Sequence, residues 1–92
     1  METAKMPEKP LKRSDVVYRP LEEEGLLVDT KNKKVHSLNR AANFIWGLCD
    51  GCHSLQDISK ELAARFDVKE PDAMKDTERM VAEFQTHHLL QN

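Results

Sequence analysis

Apolar positions alternate early in the chain and recur at helical spacing later. Val16, Val17 and Tyr18 in "DVVYRPL" are strand formers, and Pro20 restricts that strand to an edge or an end. "GLLVDT" and "VHSL" flank the polar run "KNKK", a pattern that predicts a β-hairpin with strands over residues 26–30 and 34–38. The two-residue period sets Leu26 and Val28 on one face and Leu27 and Asp29 on the other. From Asn39 the period changes. Ala41, Phe44, Ile45 and Leu48 form a helical stripe behind an Asn N-cap, and Asp50-Gly51 ends it. Ser54, with Asp57 as reciprocal partner, caps a second helix whose stripe is Leu55, Ile58, Leu62 and Phe66. "DVKEPD" reads as a loop, after which Asp72 caps a third helix. Its stripe is Ala73, Met74, Thr77, Met80, Val81 and Phe84, and it runs to about residue 88. Three short antiparallel strands followed by three helices predict an α+β domain with helices on one sheet face. The helices around Asp50-Gly51 read as a winged helix-turn-helix-like arrangement, with the hairpin as wing.

Length bounds this to one small domain of 92 residues, with 39% apolar and 33% charged positions. A modest core follows. The net charge of −2 supplies no bulk attraction for nucleic acid or anionic membrane. No apolar run is long enough to span a bilayer, and two neighbouring cysteines do not make a secreted disulfide scaffold, so a soluble cytoplasmic protein is expected. Residues 1–14, polar with prolines and lysines, read as a flexible tail ahead of a folded domain over 15–92.

Little of the candidate chemistry points to catalysis. Cys49 and Cys52 form a Cys-x-x-Cys followed by His53. A redox pair wants its first thiol at a helix N-terminus, whereas Cys49 falls at a C-terminus, where the dipole raises the thiol pKa. A zinc site needs four ligands, and the adjacent His87 and His88 project in different directions. A small buried hydrophobe plus a turn residue is the simpler reading, with a zinc module as the alternative. There is no defensible nucleophilic triad and no glycine-rich phosphate loop, so neither an enzyme nor a bound cofactor is expected.

Binding remains. A helix-turn-helix raises DNA, and a winged-helix DNA-binding regulator is the alternative function. Yet Lys60 and Arg65 on the second helix are offset by Asp57 and Glu61, and Lys75 and Arg79 on the third by several acids. The hairpin offers another site. Strand 34–38 has no later strand to pair with, and an open edge is a template for an extended peptide. Lys33 and Lys34 could equally be there to block such pairing. An apolar groove beside the edge would favour a guest, and Met74, Met80 and Phe84 of the third helix could line one.

These residues carry a resemblance. Leu38-Asn39, Ile45-Trp46, Asp50-Gly51, the opening Ser54-Leu55-Gln56-Asp57-Ile58, Phe66-Asp67 and the closing "MVAEFQTHHLL" are similar to the PqqD family over residues 16–90. The resemblance implies a RiPP recognition element, a peptide chaperone that captures the leader of a ribosomally made precursor peptide and presents it to a modifying enzyme, often a radical SAM enzyme. In that family the leader adds as a strand beside the third strand, next to the third helix. Carried onto this chain, the peptide-binding residues are Lys34, Val35, His36, Ser37 and Leu38, with Met74, Thr77, Met80 and Val81. Cys49 and Cys52 depart from the family pattern. The expected partners are the leader peptide and the modifying enzyme, without nucleic acid or membrane, and the open edge could also join two copies in a homodimer.

Overall fold

The computed structural model describes residues 6–92. Three strands, β1 (Val17–Leu21), β2 (Glu24–Asp29) and β3 (Lys34–Leu38), precede three helices, α1 (Arg40–Gly47), α2 (Leu55–Phe66) and α3 (Glu70–Thr86). The sheet is antiparallel in the order β1-β2-β3, so β1 and β3 are its edges. The architecture is the expected α+β one, three antiparallel strands followed by three helices.

Register follows from burial. Leu27 lies opposite Tyr18 on one side and His36 on the other, and is fully buried. One residue along, Val17, Val28 and Val35 form a row across the opposite, more solvated face. A slip by one residue would exchange the two faces, which pins the pairing. The β1–β2 connection is only Glu22 and Glu23, with Glu22 at φ 57. Glu24 is already the first residue of β2. Gly25 is required by close approach: a Cβ there would lie 2.7 Å from both Asn43 Oδ1 and Tyr18 Cε1. The Tyr18 hydroxyl donates to that same Asn43 oxygen at 2.6 Å, which ties β1 to α1 across the glycine. At the other end of the hairpin Asp29 accepts from the Asn32 backbone N–H (3.2 Å) and side-chain amide (2.8 Å), organising the turn before β3.

Local signals set the first two helices. Asn39 Oδ1 accepts from the Ala42 N–H at 2.8 Å. Ser54 and Asp57 form a reciprocal capping box, both bonds at 3.0 Å. Helix α1 ends at Gly47, before the Asp50-Gly51 turn, where Gly51 has φ 80. Helix α3 starts earlier than an Asp72 cap implies. Lys69 is its N-cap, without a side-chain cap bond, and Pro71 sits in the first turn, where its missing N–H costs nothing. The core gathers Leu27 and Leu38 from the sheet, Ala42, Ile45 and Trp46 from α1, Ile58 and Leu62 from α2, and Val81 and Phe84 from α3. Trp46 meets Phe84 edge to face, with centroids 5.2 Å apart.

The expectation of a flexible tail over residues 1–14 needs correction. Its first five positions lie outside the described residues. From Pro10 to Arg13 the chain is a strap hydrogen-bonded to two distant segments. Gly51 N–H donates to Pro10 O, Lys12 N–H to Cys49 O, Arg13 N–H to Leu89 O and Gln91 N–H to Leu11 O. Pro10 is buried. The folded unit thus begins before residue 15. Burial pushes the Cys49 thiol up to about 12, a value without reactive thiolate near neutrality. Cys52 is exposed.

A groove between an open sheet edge and the last helix

Strand β3 pairs only with β2 among the described residues, so the hydrogen-bonding groups of its outer side face away from the sheet. Helix α3 runs nearby, and between the two lies a groove of about 640 Å³. The strand side is Val35, His36, Ser37 and Leu38, with Asn39 and Ala42 where the chain turns into α1. The helix side is Arg79, Met80, Glu83 and Phe84, followed by His87 and Leu89.

Each wall is positioned by its element. His36 and Leu38 share the face of buried Leu27, so they look inward toward the helices. Leu38, Ala42, Phe84 and Leu89 are buried apolar residues at the base of the groove, whose exposed lining is more polar than apolar. Val35 is on the outward row and 63% exposed, the most open large hydrophobic residue among those described. Met80, Glu83 and Phe84 of α3 and its C-cap His87 recur three and four residues apart, which keeps them on one side.

One end of the groove is polar. The rings of His36 and His87 lie 4.8 Å apart, tilted by 45°. His36 Nε2 is buried and has no hydrogen-bond partner among the described residues. Burial, then His87 and Lys34, hold the His36 imidazole below its ordinary value, while Asp29 pulls the other way.

Of the residues expected to take a peptide, Val35, His36, Ser37, Leu38 and Met80 line this one groove. Lys34 and Met74 belong to the same elements but lie outside the lining. Thr77 and Val81 are fully buried behind it, the Thr77 hydroxyl without a partner among the described residues. Arg79, Glu83, His87 and Leu89 line the groove without having been expected there. The i, i+4 spacing of Arg79, Glu83 and His87 in the sequence could have pointed to them, once Met80 was placed on that helix face.

The other candidates lead elsewhere. Among the described residues no three of His, Cys, Asp and Glu converge as a metal site. His53 Nδ1 is 3.0 Å from Asp50 Oδ1, and that pairing raises the imidazole pKa and lowers that of the carboxyl. On α2, Arg65 lies over the Phe66 ring and 3.9 Å from Glu23, so one of its two basic groups is turned toward the protein itself. No helix among the described residues is long and apolar enough to cross a membrane.

An open antiparallel sheet followed by three helices, with a groove along its edge strand, defines a small α+β domain. The family model for coenzyme PQQ synthesis protein D (PqqD) matches residues 24–90, and this chain belongs to that family. Two solved structures share its fold. One, TbiB1 in complex with the TbiA(beta) leader peptide, superposes with a TM-score of 0.80 at 18% identity, over 89% of this chain and 95% of that one. The other, a lasso peptide synthetase B1 complexed with the leader peptide, gives 0.79 at 19% identity, over 91% and 99%. At such identities the likeness is one of fold. No curated protein matches the chain.

Proposed function

We propose that this protein captures the leader of a ribosomally made precursor peptide as an added strand along β3 and presents it to a modifying enzyme, a radical SAM enzyme or another, without catalysing a reaction itself. The observation that carries this reading is the coincidence of an open edge with a groove beside it that has buried apolar residues at its base. Backbone hydrogen bonds to β3 supply sequence-independent affinity. Side chains of the guest that point inward enter the hollow over Leu38, Ala42 and Phe84, and those that point outward extend the row ending in Val35. Membership of the PqqD family, and the leader peptides bound by the two proteins of like fold, support it.

The edge is accessible as it stands. Lys34 is the basic residue within β3, at its far end, and the strand contains no proline or bulge to refuse a partner. The opposite edge differs, since β1 holds Pro20 and so lacks one donor. A leader peptide from the precursor encoded in the genomic neighbourhood, titrated by calorimetry, tests the proposal. Val35→Pro should weaken capture at least about tenfold by disturbing the ladder, and Met80→Asp should weaken it through the groove wall. Unchanged affinity in both, with native circular dichroism, would refute strand addition at β3.

A further inference from the structure

Resting on that reading, we propose that His36 and His87 form a carboxylate subsite of the groove, so that the protein selects a guest carrying Asp or Glu two residues from an apolar side chain. Three observations support this. The first is spacing. His36 and Leu38 are neighbours on the inward row of β3, so a strand laid beside β3 sets successive inward side chains against the imidazole end and the apolar end in turn. The second is the unmet hydrogen-bonding capacity of buried His36 Nε2, which a guest group would satisfy. The third is the ring pair itself. Two imidazoles 4.8 Å apart can both direct an N–H at one anion, whereas a proton on His36 without that anion would stand beside His87 and Lys34.

The charges facing the subsite come from three elements. Lys34 on β3 and Arg79 on α3 favour an anion, though Arg79 is 3.3 Å from Asp76. Asp29 on β2 opposes it, but that carboxylate already accepts from Asn32 and Arg13. Glu83, one turn before His87, opposes it directly from the groove wall. Capture of an acidic guest is therefore accompanied by proton uptake, and Glu83→Gln should strengthen it.

The test selects a displayed library of random decapeptides on the full chain and on His36→Phe, which keeps a ring of similar size without its nitrogens. The best binder and its acid-to-amide version are then titrated calorimetrically at about pH 6 and about pH 8. Expected are binders enriched in Asp or Glu two positions from an apolar residue. Amidation should weaken binding about tenfold at the lower pH, less at the higher, and markedly less in His36→Phe. Binders that depend on Val35 yet show no acidic preference, or that prefer Ser, Thr or Tyr at that position, would overturn the subsite and leave strand capture standing. A selection that yields no binder sensitive to Val35→Pro would overturn both.

Discussion

At the residue scale, the two helix N-caps show how much a short sequence signal can fix. Asn39 and Ser54 each place one side-chain oxygen where the first turn has N–H groups to satisfy, and both bonds form. Ser54→Ala should cost about 1 kcal/mol of stability, read from urea unfolding. A negligible change would mean that the box adds nothing beyond helix packing. His36 gives a different kind of expectation. Its folded pKa lies below the ordinary 6.5, chiefly because the ring is desolvated. As pH falls through 6.5, the unfolded chain takes up that proton before the folded one does. The stability contributed by neutral His36 is therefore present above 6.5 and is lost as pH falls toward the depressed folded value. His53 works in the opposite window. Its pKa is raised by Asp50, so its contribution is present below 6.5 and lost as pH rises through the folded value. Unfolding free energy should decline on both sides, and His36→Phe should flatten the decline just below 6.5 while sparing the alkaline one. A His36 titration midpoint at or above 6.5 by NMR would contradict this. Sequence could not supply the His36 environment, because His87, just past the end of α3, reaches it only through the tertiary fold.

At the element scale, the strands and the first two helices were legible because their signals are local: alternation, a turn run, two caps and a glycine with positive φ. The limits of β3 agree with the predicted 34–38, since the polar run "KNKK" marks one end and Asn39 the other. Its status as an edge was also legible, because only helices follow it. The start of α3 was not. Pro71 was taken as loop punctuation, yet it occupies the one part of a helix that tolerates it. The facing of α3 was read in part. Met80 and Phe84 reach the groove, but Thr77 and Val81 belong to the buried stripe. A stripe of period 3.6 tells which residues share a face and leaves open whether that face meets core or cleft. The same limit applies to Cys49, whose place at the end of α1 was evident while its complete burial depended on the strap that crosses it.

At the scale of the whole molecule, the strap of residues 10–13 closes the fold by joining the α1–α2 turn to the chain's last residues. It was illegible because its partners are distant in sequence and its own composition is that of a tail. Lys12 lies over the Trp46 ring at 5.6 Å from its centroid, and Arg13 reaches Asp29 and the His88 carbonyl. Deleting residues 1–13 should cost about 2–4 kcal/mol, from several backbone hydrogen bonds at about 1 kcal/mol each, and shift Trp46 emission to the red. Unaltered stability and emission would show that the strap is an accessory. The strap and the groove meet at Leu89, whose carbonyl accepts from the Arg13 N–H and which also lines the groove. The most direct measurement is amide hydrogen exchange of the full chain with and without a bound leader peptide. Strand addition requires that alternate amides of Lys34–Leu38 gain strong protection while those of β1 do not change. Protection confined to β1, or to the exposed face of α2, would place the guest elsewhere and contradict the role assigned to the open edge.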